Sequence, residues 1–121
     1  MPTTYDFPAH KRGDTFSSKV IAVLTDTDSG DPIGITSARL QVRALATGRI
    51  VHEWSTAAGT MTISGAGSNT LTMGKVEPAV TALWQPGEHS YDLEITLDDA
   101  DATTFTAPEG TFTVSADVTR D

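Results

Sequence analysis

The residues of this chain that could do chemistry fall into a few groups, each with a spacing that can be set against what a ligand or reaction requires. Asp26, Asp28 and Asp31 alternate around Gly30, and alternating carboxylates are ligands for hard cations. An EF-hand loop needs acids or Asn at positions 1, 3 and 5, Gly at 6 and Glu at 12. Counted from Asp26, those places hold Gly30 at 5, Asp31 at 6 and Ser37 at 12, so the register fails. A solvated strand connection explains the same residues. Asp98, Asp99 and Asp101 form a second acidic group, which reads as a hairpin tip. His10, His52 and His89 are the only imidazoles, and no two have metal-ligand spacing. Cys is absent, which excludes disulfides, thiolate metal sites and cysteine nucleophiles. Ser is plentiful, but no Gly-x-Ser-x-Gly elbow occurs. The expectation is a non-enzymatic protein without catalytic, cofactor-binding or metal-binding residues, and without a small-molecule substrate.

Two other groups suit binding better than catalysis. Arg39 and Arg43 share the outward face of one alternating segment, and Lys11, Arg12 and Arg49 add to the positive charge of the first half. Such a patch can meet an acidic partner, including another copy of the chain. Trp54 and Trp84 could stack on a sugar, although two Trp in a small domain more often serve as core or inter-subunit anchors.

Composition bounds the rest. The chain has 121 residues, with 8 basic against 16 acidic side chains and a formal charge of −8. That length supports one domain and one core. A chain of this sign is repelled by phosphate backbones and anionic headgroups, so neither nucleic acid nor membrane is an expected partner. The start, MPTTYDFPAHKRGDTF, carries no apolar stretch of secretory type. Synthesis in the cytoplasm is the expectation.

The elements that must position these residues read as strands. Thr is the commonest residue, with 20 copies, whereas Lys and Glu number only 3 and 5. Thr is stiff at χ1 and fits a pleated surface, while surface helices favour Lys and Glu. Tyr91, Leu93, Ile95 and Leu97 alternate with polar neighbours, as do Phe112, Val114, Ala116 and Val118, and Leu40, Val42 and Ala44. Each set is a half-buried strand. Met61 with Ile63, and Leu71 with Met73, mark shorter ones, and Arg49 to Trp54 adds a strand of ambiguous face. Val20 to Leu24 is continuously apolar and reads as a strand covered on both faces. Turn chemistry separates the runs, including Asp26–Pro32, Gly65–Asn69, Pro86-Gly87, Asp98–Asp101 and Pro108–Gly110. A short helical segment near 76–84 is limited by Pro78, with Val80, Leu83 and Trp84 on one side. The predicted fold is an all-β, seven- to eight-stranded antiparallel immunoglobulin-like β-sandwich spanning 12–121. Residues 1–11 are an extended arm with no assured place in a lone domain; its aromatics Tyr5 and Phe7 are expected to dock on a neighbouring protein.

Three stretches carry a resemblance: KRGDTF at Lys11–Phe16, YDLEI at Tyr91–Ile95, and GTFTVSADVTR at Gly110–Arg120. With the acidic loop before Pro32-Ile33 and the ARLQVR segment at 38–43, their order resembles small all-β virion proteins of tailed bacteriophages and prophages. These include the amino-terminal domain of the baseplate upper protein type. The resemblance implies a docking module held in a symmetric assembly, with no catalytic residues to carry over. It implies other virion proteins, and copies of itself in a ring, as partners. Tyr5, Phe7, Arg39 and Arg43 are then the partner-binding candidates, and the location is the virion, assembled in the host cytoplasm. The chain stops at Asp121 with no stalk behind it, so an adaptor, neck or head-surface role is expected over a fibre's own anchor. A carbohydrate- or cell-surface-binding module and a capsid-surface decoration protein are the alternatives.

Overall fold

Alternating apolar and β-branched residues need a flat partner to cover one face, and the chain supplies it by pairing most of its length into sheets. The computed structural model describes residues 6–45 and 47–115. Eight strands and one helical turn follow in order: β1 (His10–Lys11), β2 (Lys19–Val23), β3 (Ile35–Ala44), β4 (Ile50–Ser55), β5 (Met61–Ser64), β6 (Thr70–Met73), α1 (Pro78–Thr81), β7 (Gly87–Leu97) and β8 (Thr104–Ser115). The fold is all-β. One sheet has the order β1-β8-β7-β3-β4, and a second has the order β2-β6-β5.

The long strands behave as their periodicity dictates. Leu40 lies opposite Leu93, and Val42 opposite Tyr91. These four, with Ile95, Phe112 and Val114, are buried in a single core. Arg39, Arg43 and Glu94 alternate with them and are exposed.

Five details depart from the sequence reading. β1 pairs with β8 in parallel, so the larger sheet is mixed. The Pro108–Gly110 stretch is no turn: β8 runs through it, and the β7 pairing shifts register between Asp92 and Glu94. A bulge accommodates Pro108, which has no N–H to donate. β2 is an edge strand, and Val20 and Val23 are 53% and 58% exposed, so it is not covered on both faces. In the helical turn Thr81 and Trp84 face inward, three residues apart, while Val80 and Leu83 face water. Finally, the arm is joined to the domain before residue 12. Phe7 N–H donates to the Thr111 carbonyl at 3.0 Å, the Asp6 carboxylate accepts from Thr111 N–H at 3.1 Å, and β1 adds to the sheet edge.

The two sheets are unequal in length. β7 and β8 have 11 and 12 residues, roughly 36–40 Å of extended chain. β5 and β6 have 4 each, roughly 13 Å. The smaller sheet therefore covers only part of the larger one. Two other pieces close the remainder: the segment from Phe7 to Phe16, and the chain from Val76 to Trp84. They are tied together by Phe16 N–H to the Val76 carbonyl at 2.9 Å, and by Gly13 N–H to Thr81 Oγ1 at 3.1 Å. Thr81 Oγ1 in turn donates to the Asp14 carbonyl at 2.8 Å.

Candidate interaction surfaces

The outward face of β4-β3-β7 carries Arg39 and Arg43, as the alternation predicts. It is not a free basic patch. Arg39 stands between two acids, 3.4 Å from Glu94 and 3.9 Å from Glu53. Arg43 donates to Gln41 Oε1 at 2.7 Å and to the Gly48 carbonyl at 3.1 Å, and Gln41 donates to Glu53 at 2.7 Å. Strand pairing sets Arg39 opposite Glu94, and Gln41 opposite Glu53. The ion pairs are exposed and each contributes at most about 1 kcal/mol. Their effect is to cancel charge, so the patch expected to attract an acidic partner is mixed in sign near Arg39 and basic only towards Arg43.

Trp54 and Trp84 are 0% and 2% exposed, which removes the sugar-stacking surface they could have formed. Trp54 Nε1–H donates to the Gly74 carbonyl at 3.0 Å. The two indoles, 6.0 Å apart, sit in an aromatic cluster with Phe16 and Phe112. Phe7 joins it through Phe112 at 5.1 Å and Tyr91 at 4.8 Å, and is 6% exposed. Phe7 is thus a core residue and not a free docking aromatic, because the parallel β1 carries the segment just ahead of it back over the sheet. Tyr5 lies outside the described residues.

Two of the three histidines, His10 and His52, pack against the same indole, that of Trp84, at 5.6 and 5.2 Å. His52 packs its ring 4.4 Å from Trp54 and 5.2 Å from Trp84. Burial there holds its pKa below the ordinary 6.5, against a smaller opposing pull from Glu53. His89 is buried and its Nε2–H donates to the Gln85 carbonyl at 2.6 Å. His10 Nε2 is 3.0 Å from the Asp14 carbonyl. Among the described residues, no group of three His, Asp or Glu side chains is placed to hold a metal ion.

Both acidic groups lie at one end of the molecule. Three loops interlock there: Leu24 N–H donates to the Asn69 carbonyl, Ile35 N–H to Ser68, and Asp98 N–H to Gly34, all within 3.0 Å. Asp26, Asp28, Asp31, Asp98, Asp99 and Asp101 are all exposed on these loops. Local hydrogen bonds order them. Asp26 Oδ1 accepts from Asp28 and Ser29 N–H, and Asp99 accepts from Thr103 N–H and Oγ1–H, both at 2.9 Å. The backbone bond from Thr103, followed by its hydroxyl, holds the Asp99 carboxyl below its ordinary value. Among the described residues, no Lys or Arg belongs to these loops.

The opposite end was not singled out from the sequence as a surface. There the ends of β3 and β8 and the starts of β4 and β7 converge with β1 and α1. Among the described residues, Arg43, Arg49, Lys11 and Arg12 belong to this end, with Asp14 and Glu88 as opposing acids. Leu45, Ile50 and Leu83 are exposed here, Leu83 by 83%. Ile50, Val51 and Leu83 line a 210 Å³ cavity with Arg49 and Gln85, along the edge of β4 that no strand among the described residues pairs. No sequence signal marked it, since the helical reading put Leu83 on the same side as Trp84. No protein-family model matches this chain, and no curated protein matches it in sequence.

Proposed function

We propose that this chain is a non-enzymatic structural component of a tailed bacteriophage virion, an immunoglobulin-like β-sandwich that docks in a symmetric assembly. The observation that carries the assembly reading is the exposed apolar group of Leu45, Ile50 and Leu83 beside the unpaired β4 edge. Clustered exposed apolar side chains and a free sheet edge are features of surfaces that meet another protein. The phage context rests on the resemblance of KRGDTF, YDLEI and GTFTVSADVTR, in that order, to small virion proteins. In this reading the partners are other virion proteins and copies of the chain, and the place of action is the particle. The stacking-platform argument for a carbohydrate-binding module loses its support, because both indoles are core residues. Mass spectrometry and electron microscopy of phage particles from a host encoding the chain test the proposal. The expected result is the chain present at a fixed copy number in a symmetric feature. Particles that form and infect without it overturn the reading.

A further inference from the structure

The two ends of this molecule differ in charge and in apolar exposure, and the difference is of the kind that lets one end receive the other. At the first end Arg49 and Gln85 flank the shallow cavity lined by Ile50, Val51 and Leu83, and Leu45 stands across the β3–β4 turn. Arg43 stands opposite Ile50 across the β3–β4 pair, while Lys11 and Arg12 lie at the same end by the β1 edge; among the described residues these cations outnumber Asp14 and Glu88. Glu77 on the approach to α1 is matched by Lys75 at 3.1 Å and adds no net charge. At the second end six Asp side chains crown the interlocked loops, and the small apolar residues Pro32, Ala66 and Ala100 are exposed among them.

We propose that the apolar, cation-flanked end docks the acidic end of a second copy of this chain, building a head-to-tail array. The inference rests on the reading of the chain as an assembly module and names its partner. Charge complementarity selects the occupant. Carboxylates of one copy reach the Arg49 side of the next, while Pro32 and Ala100 meet Leu83 and Ile50. A two-fold dimer through either end is disfavoured, because a self-complementary interface sets each patch against its own copy. Across such an axis Arg49 would face Arg49, or the six Asp would face six more. A head-to-tail contact puts opposite signs together at every junction and leaves one free end of each kind for the next copy. The interlocked loops add rigidity, which reduces the ordering cost of binding.

The test uses the full chain, its association followed by sedimentation velocity across a concentration series. Wild-type protein should self-associate at about 0.02 M salt and do so at least about tenfold more weakly at about 0.5 M. The pair Lys11→Glu with Arg49→Glu makes both ends negative, and the four changes Asp28→Lys, Asp31→Lys, Asp98→Lys and Asp101→Lys together make both positive. Each of these variants alone should remain monomeric, while an equal mixture of the two should associate again. Leu83→Ser should weaken wild-type association without shifting the melting temperature, since its side chain touches little of its own domain. A wild-type chain that stays monomeric throughout, or reversed variants that associate like wild type, overturns the inference. So does a mixture that fails to associate while both variants keep the wild-type circular dichroism melt. Particles that contain the chain and accept both reversed variants would sink the head-to-tail contact while sparing the virion reading. Head-to-tail association of a chain absent from particles would do the reverse.

Discussion

The half of the core under the smaller sheet and the half under the chain-terminal segments solve one covering problem in different ways. Beneath β5 and β6 the buried side chains are mainly aliphatic or thioether: Leu71, Met73, Met61, and Ile35 and Ile95 from the larger sheet. Beneath Phe7–Phe16 and α1 they are aromatic: Phe7, Phe16, Trp54, Trp84, Tyr91 and Phe112. A regular sheet brings side chains at even spacing, so medium-sized residues fill it. An irregular cover leaves gaps of uneven depth, and large rings fill those; Trp54 Nε1–H donates to the Gly74 carbonyl, whereas Trp84 Nε1–H is buried without a partner among the described residues. The aromatic half therefore depends on residues far from one another in sequence. The aliphatic half depends on three tight loops.

The sharpest way to break this comparison is to remove the cover of the aromatic half. Phe7→Ala should cost about 4 kcal/mol, the value for a buried ring whose site cannot collapse. Removing residues 1–10 should cost at least as much, measured by urea denaturation. A truncated chain of unchanged stability would show that the aromatic half closes without its first segment. In the aliphatic half, Leu71→Ala should cost about 3 kcal/mol, and a smaller loss there than at Phe7 would show which cover is better able to relax.

The loops respond to smaller changes. Gly67 packs directly on the Pro32 ring, and a Cβ at 67 would overlap Pro32 Cβ and Cγ. Gly67→Ala should destabilise by about 2 kcal/mol, since the ring cannot rotate away. Ala102 holds φ 49°, a left-handed conformation unusual for a residue with a Cβ. Ala102→Gly should raise stability by about 1 kcal/mol, the relief of that strain less the extra freedom of glycine in the unfolded chain. A fall in melting temperature would place the strain elsewhere in the turn.

The smallest effect is expected only in acid. His52 has its pKa lowered by burial among Trp54 and Trp84. As pH falls below the ordinary 6.5, the unfolded chain takes up a proton that the folded chain does not, so stability declines until the folded pKa is passed. Above 6.5 the contribution is flat. His52→Phe should remove that part of the pH dependence. An unchanged acid limb between wild type and variant would show that His52 is not its source. Asp99 acts in a lower window. Its depressed pKa stabilises the fold above the ordinary carboxylate value and the contribution is lost as pH falls through the folded one.

Much of the larger sheet was legible in the residues. The alternations at 39–44 and 91–97 place Leu40, Val42, Tyr91, Leu93 and Ile95 inward, and all five are buried. A period of two is a local property, so it survives whatever the strand pairs with. The binding candidates were less legible. Arg39 was correctly placed on an outward face, but its two acidic neighbours come from strands 14 and 55 residues away in sequence, and no spacing rule connects them. Val20–Leu24 shows the limit of composition: an apolar run signals low polarity, while coverage depends on whether a strand ends up central or at an edge.

The sequence by itself determined that this chain is all-β, where its long strands face inward, and that its two Asp clusters sit on turns. Those properties follow from side-chain shape, period and turn chemistry within a few residues. Only the tertiary structure decided that β1 returns to the edge of β8, that Phe7 and both Trp are core, and that six Asp gather at one end with Leu83 exposed near the other. Each of these depends on which distant segments pair. That choice is made by burying the whole core at once, and no single stretch of chain carries it.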